Sequence, residues 1–238
     1  MSGHSKWSKV KNQKAVTDAK RSQIFSKLAR LISISSRDGS DPETNPKLKA
    51  ALEKAKEFFL PKDTIEKAIK RGSGLSDEAI LEQIIIEAYG PLGSALIIRA
   101  ITDNKNRTLS EIRKILDIHG AKAAEAGSVR YMFKEIGKIT INKKLWNDDL
   151  EMLAIEKGAQ DVYTDDDQIM IVTSPHNLNL LTSALSEKIS VSNIEIDYIS
   201  QQEIKTDDPD AKKQIENLIE ALDNDPDIEE IYSNFKLN

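Results

Sequence analysis

The chain contains no cysteine in its 238 residues. That absence excludes a disulfide framework, a thiolate nucleophile, and zinc or iron–sulfur sites built on cysteine. No apolar run approaches the roughly 18–20 residues that a bilayer-spanning helix requires. There is no phosphate loop of the Gly-x-x-x-x-Gly-Lys type and no Gly-x-Ser-x-Gly nucleophile elbow. Histidine is scarce: His4, His119 and His176 are the three present. They lie far apart, and each reads as a surface or capping residue, so no metal site is expected. Asp223-Asn224-Asp225-Pro226-Asp227 imitates the start of a calcium loop but lacks the turn glycine and the closing glutamate. It reads as a polar helix-to-strand turn, and Asp165-Asp166-Asp167 as a charged hairpin turn. With no catalytic constellation and no cofactor expected, the chain reads as non-enzymatic.

What is present is charge, unevenly placed. Residues 1–37 carry nine Lys/Arg and one acid, Asp18. Up to Arg71 there are 17 basic and 8 acidic residues, a net of +9; the remainder holds 17 basic and 31 acidic residues, a net of −14. A chain with a formal charge of −5 thus gathers its cations into one terminal module, a candidate surface for a polyanion. Apolar residues at 39% and charged residues at 31% describe a soluble globular protein, and the length suggests two or three domains. The basic, serine-rich start superficially suits an organellar transit peptide. The apolar helical pattern that follows Asp18 looks instead like part of a folded domain, so a cytoplasmic location is expected.

Periodicity places the elements. Ile24, Phe25, Leu28, Leu31 and Ile32 form one helical stripe between Asp18 and Arg37, flanked by Lys20, Lys27, Arg30 and Arg37. After the Asp38–Pro42 loop, Asn45-Pro46 reads as N-cap and first helical position. A third helix begins at Pro61, with Gly72 placed to stop it. Beyond Gly74, Gln83–Tyr89 and Ala95–Thr102 read as strands joined by the hairpin Gly90-Pro91-Leu92-Gly93. A helix over 104–119, ended by Gly120, and a strand over Val129–Phe133 follow. From Lys138 the order is strand, helix, strand, strand, helix, strand, the split ferredoxin-like arrangement. A helix over 211–222 and a strand over 228–232 close the chain. Segment 80–133 and this last pair each lack partners, and pairing them completes one domain with 134–206 inserted.

The expected fold class is therefore α+β in three domains: an all-helical basic domain over 1–75, a discontinuous α/β domain over 76–133 plus 207–238, and an inserted β-α-β-β-α-β domain over 134–206. Candidate nucleic-acid contacts are His4, Lys6, Trp7, Lys9, Lys11, Lys14, Lys20, Arg21, Lys27 and Arg30, because one-signed charge of this density is what counterion release exploits. Trp7 stands among lysines and reads either as a base-stacking residue or as an apolar anchor of the helical core. Asp103, Asn104, Asn106 and Arg107, within the polar run Thr102–Thr108, read either as a helix-capping loop or as a contact at an inter-domain cleft.

The sequence resembles the YebC/PmpR-type proteins nearly end to end. The resemblance is carried by Gly3-His4-Ser5-Lys6-Trp7, Asp18-Ala19-Lys20-Arg21, Asp41-Pro42, Asn45-Pro46, Pro61–Glu66 and Ala68–Gly72. Tyr89-Gly90-Pro91, Thr102-Asp103-Asn104, Asn106-Arg107-Thr108, Gly127-Ser128-Val129 and Ile231–Phe235 extend it. The chain departs from the family pattern where Leu92 stands in a Gly-Pro-Gly-Gly turn. Phe59-Leu60 replace Asn-Met, and Gly120–Ala124 replaces a Gly-Gly-x-Leu-Gly loop. The resemblance implies three domains with one nested in another. It also implies a regulator of gene expression, described in most members as a DNA-binding transcriptional regulator. Mitochondrial relatives, which include a translational activator of cytochrome oxidase, imply the alternative of a factor acting at mRNA or the ribosome. Nucleic acid is the expected partner, no membrane is, and the oligomeric state is open. An enzyme using an acidic inter-domain cleft is the third possibility, with no recognisable catalytic residues to serve it.

Overall fold

The computed structural model describes residues 18–165 and 167–236. Seven α-helices and eight strands are present among them: α1 (Asp18–Ser35), α2 (Pro46–Glu57), α3 (Lys62–Gly72), β1 (Glu82–Tyr89), β2 (Ala95–Thr102), α4 (Lys105–Ile118), β3 (Lys122–Ala124), β4 (Phe133–Asn142), α5 (Asp148–Glu156), β5 (Ala159–Asp165), β6 (Gln168–Thr173), α6 (Leu178–Ser186), β7 (Asn193–Ser200), α7 (Pro209–Asp223) and β8 (Ile228–Ser233). The fold is α+β, with two four-stranded antiparallel sheets. No described helix is long and apolar enough to cross a membrane.

The chain divides into two compact units. One comprises the residues up to Arg30, Ala79–Lys134 and Tyr198 onward; the other comprises Leu31–Glu78 and Glu135–Asp197. In the first, the strand order is β3-β1-β2-β8, so the C-terminal strand completes a sheet begun by the β1–β2 hairpin. Ile84, Ile86, Ala88, Leu96 and Ile98 on one face of that hairpin pack against Ile112 and Leu116 of α4 and Leu218 and Leu222 of α7. On the other face Ala95 and Ile97 meet Val129, Phe133, Tyr198 and Tyr232. Strand β2 is therefore buried on both sides, which its near-continuous apolar run ALIIRAIT requires.

The expected strand over Val129–Phe133 does not form. Instead, Arg130–Met132 is a short 3₁₀ turn, and β4 starts at Phe133. The cause is Glu87. Its buried carboxylate accepts hydrogen bonds from the backbone N–H groups of Gly127 (2.7 Å), Val129 (2.7 Å) and Arg130 (3.1 Å), which curls this segment away from a ladder.

The second unit holds most of the β-α-β-β-α-β order β4 to β7, which folds with strand order β5-β6-β4-β7, the ferredoxin-like arrangement. Ile139, Ile141, Ile169 and Ile171 pack under Leu150, Ala154, Leu178, Leu181 and Leu185 of α5 and α6. On the opposite face of β4, Lys138 pairs with Glu195 (2.9 Å) and Asp197. The helical part of this unit is held by two small residues. Asn45 caps α2 by accepting from Leu48 N–H (3.1 Å), and its amide donates to the carbonyls of Ser35 and Gly39, each at 2.7 Å. Gly72 lies against α1 so closely that a Cβ would sit 2.0 Å from the Ser33 carbonyl oxygen.

Candidate nucleic-acid interface

Helix α1 carries two kinds of cation. Lys20 and Arg21, at its N-terminal end, are exposed, and the Arg21 guanidinium lies 5.3 Å from the centroid of the Phe25 ring. Lys27 and Arg30, farther along, face the turn between α7 and β8. The Lys27 side chain is only 8% exposed, and its Nζ donates to the Asp223 carbonyl (2.7 Å) and to Asp223 Oδ1 (3.2 Å). Arg30 Nη2 pairs with Asp227 Oδ1 at 2.8 Å, and its other Nη donates to the Pro226 carbonyl. Gln23 Nε2 adds a bond to the Asn224 carbonyl (3.2 Å). Two of the ten expected nucleic-acid contacts, Lys27 and Arg30, are thus already engaged by internal carboxylates and carbonyls. His4, Lys6, Trp7, Lys9, Lys11 and Lys14 lie outside the described residues.

The acidic turn is the polar helix-to-strand connection that its sequence implies, and Asp227 is its centre. Only 3% exposed, Asp227 holds Arg30 on one oxygen, and on the other it holds Arg107 Nη2 (2.8 Å) and Thr108 Oγ1 (2.6 Å). Burial alone would raise its carboxyl. The hydrogen bonds from Thr108 and Arg107, with the charges of Arg30 and Arg107, overcome that effect and hold it below the ordinary aspartate value. The same contact raises Arg107. Asp225 behaves oppositely: burial pushes its carboxyl up, although it accepts the Asp227 N–H at 2.8 Å and lies near Lys27 and Arg30. Carboxylate oxygens of Glu111, Asp225 and Asp227 come within 4.8 Å of one another. Both Asp227 oxygens are already taken, so the arrangement works as a counter-charge for arginine and lysine.

The run Thr102–Thr108 is part of the same cluster. Asn104 caps α4, accepting from Arg107 N–H at 3.1 Å. Thr108 Oγ1 lies 2.8 Å from Thr102 Oγ1, and Asp103 reaches Arg107 at 3.1 Å. Asn104 therefore does what a helix-capping loop does, Asp103 and Arg107 join the acidic turn, and Asn106 stands exposed on α4. The sequence did not reveal that Lys27 and Arg30 would be partnered by Asp223 and Asp227. The available signal was the matched charge: an acidic pentapeptide in a chain whose basic helix offers cations at i and i+3.

Comparison with known proteins agrees with this architecture. Residues 5–75 match the family model described as "TACO1/YebC protein N-terminal domain", and residues 81–235 match "TACO1/YebC second and third domain". A relative from Kosmotoga olearia is 40% identical over all of this chain and 95% of its own length. One from Pseudothermotoga lettingae is 43% identical with the same coverage. Each is named "Probable transcriptional regulatory protein". A crystal structure of a conserved hypothetical protein from Aquifex aeolicus superposes with a TM-score of 0.79 at 34% identity, covering 98% of both chains.

Proposed function

Since this chain belongs to the TACO1/YebC family, we propose that it is a DNA-binding transcriptional regulator that acts by binding and not by catalysis. The observation that carries the reading is the division of labour within the basic N-terminal module. Lys27 and Arg30 are consumed internally by Asp223 and Asp227, whereas Lys20 and Arg21 stand exposed at the start of α1, the end nearer in sequence to Lys6–Lys14. The proposed polyanion contacts are accordingly Lys6, Lys9, Lys11, Lys14, Lys20 and Arg21, with His4 and Trp7 beside them. Lysine dominates this set, which favours phosphate contact over base readout. Binding is therefore weakly sequence-specific, within about tenfold between a promoter fragment and random duplex at physiological salt.

Fluorescence anisotropy with labelled duplex DNA tests the reading. The double variant Lys20→Glu, Arg21→Glu is expected to lose at least tenfold in affinity while its thermal unfolding stays unchanged, because both side chains are exposed. Native affinity in that variant would remove the basis of the proposal.

A further inference from the structure

Among the described residues, three helices end in the same backbone motif, and one of them breaks its residue rule. At the end of α3, Gly74 N–H bonds to the Arg71 carbonyl (3.2 Å) and Leu75 N–H to the Lys70 carbonyl (2.9 Å). At the end of α4, Gly120 N–H bonds to Asp117 (3.3 Å) and Ala121 N–H to Leu116 (2.8 Å). At the end of α2, Phe59 N–H bonds to Lys56 (3.1 Å) and Leu60 N–H to Ala55 (3.0 Å). These paired bonds define the Schellman motif, whose first residue beyond the cap sits in the left-handed region. Gly74 and Gly120 meet that demand with φ of +72° and +70°. Phe59 adopts φ of +58° with a full side chain, which is sterically unfavourable.

The strain is not offset by burial. The next residue, Leu60, is buried, as is Ala55, whose carbonyl accepts its N–H. Phe59 itself is 80% exposed, and no other large apolar side chain is exposed among the described residues before Leu75. An isolated ring does not make a protein-docking patch, which requires contiguous apolar area. Lys56 and Lys62 lie three residues to either side along the chain and are both exposed. Glu57 stands between Lys56 and Phe59, Asp63 follows Lys62, and Lys62 Nζ lies 3.7 Å from Glu66 Oε1 in an exposed i,i+4 pair. Leu92 provides the contrast. It has the same φ of +58° and is also exposed, but it is aliphatic and lies in sequence among Gly90, Pro91, Gly93 and Ser94.

The geometry points to Phe59 as a stacking residue for an unpaired base of a nucleic-acid strand, with Lys56 and Lys62 positioned for the adjoining phosphates. This rests on the nucleic-acid reading above and extends it to a second contact outside the basic N-terminal run. A planar ring held out on a hydrogen-bonded helix terminus loses little freedom on stacking, and every base offers a π-face. The stabilising residue for this backbone is glycine or asparagine. The chain forgoes that stability, as it does at a site kept for contact.

The test uses the full chain, a labelled single strand of about 20 nucleotides as DNA and as RNA, and the corresponding duplex. Phe59→Asn is expected to raise the melting temperature by a few degrees, since asparagine tolerates the left-handed backbone. It should lower single-strand affinity about tenfold or more and leave duplex affinity unchanged. Phe59→Trp should retain single-strand affinity, and Phe59→Leu should lose it, because leucine is apolar without a π-face. A greater loss on the DNA strand or on the RNA strand identifies which supplies the base. Equal single-strand affinity in the native chain and Phe59→Asn would overturn the inference and leave the duplex reading standing. Failure of the native chain to bind any of the probes would overturn both.

Discussion

Arg30 and Arg107 hold opposite oxygens of one carboxylate, that of Asp227, each at 2.8 Å. Arg30 comes from the basic N-terminal helix and Arg107 from α4. The carboxylate is almost fully buried, so both cations neutralise it where water cannot. Removing Asp227 therefore leaves two guanidinium groups and the Thr108 hydroxyl without their shared acceptor. Asp227→Ala is expected to cost about 3–5 kcal/mol in denaturant unfolding. Arg30→Ala, which leaves Arg107 and Thr108 in place, is expected to cost less. Equal stability of Asp227→Ala and the native chain would show that the cluster contributes nothing.

The two aspartates of the turn predict opposite responses to pH. The folded Asp227 carboxyl is held below its ordinary value, so its contribution is complete above the unfolded value of about 3.9 and is lost as pH falls through the folded one. The folded Asp225 carboxyl is raised, so its charged form opposes folding near neutrality and the opposition is relieved on acidification. Asp227→Asn should be destabilised at pH 7 and lose less than the native chain on going to acid. Asp225→Asn should match or exceed native stability at pH 7, with its advantage shrinking as pH falls. Urea unfolding at a series of pH values checks both signs.

Leu92 carries backbone strain without burial to offset it. With φ of +58°, ψ of +19° and 55% exposure, replacement by glycine removes the steric penalty and forfeits little apolar contact. Leu92→Gly is expected to stabilise by about 1 kcal/mol, read as a shift in denaturant midpoint at constant slope. Destabilisation would show that the leucine side chain has a packing role.

Glu87 is the reason a β-prone segment turns. Its carboxylate serves three backbone donors, so Glu87→Ala leaves the buried Val129 N–H without its acceptor and frees the part-buried N–H groups of Gly127 and Arg130. A loss of about 1–3 kcal/mol is expected, with accelerated amide exchange at Val129 as the local reporter.

These residues also show what the sequence made legible. Asn45-Pro46, Gly120 and the β-rich run Gln83–Tyr89 are local signals, and the elements they specify formed as read. The ferredoxin-like order was legible from Lys138 onward, because strand-like and helix-like segments alternate there as β-α-β-β-α-β. Val129–Phe133 misled because its β propensity is decided by a glutamate some 40 residues earlier. Lys27 and Arg30 are a different case. Helical spacing places them correctly on one flank of the apolar stripe but carries no information about what that flank meets nearly 200 residues later.

In the proposed function the basic helix divides its cations, Lys20 and Arg21 outward for phosphate and Lys27 and Arg30 inward for aspartate. The salt dependence of duplex affinity measures this directly, since each phosphate contact contributes about −0.9 to the slope of log affinity against log salt. With six contacts the native chain is expected to give a slope of about −5.4, and Lys20→Ala, Arg21→Ala a slope shallower by about 1.8. Lys27→Met, Arg30→Met should lose stability and keep the native slope. A slope unchanged by the Lys20 and Arg21 substitutions, but flattened by those at Lys27 and Arg30, would contradict the account.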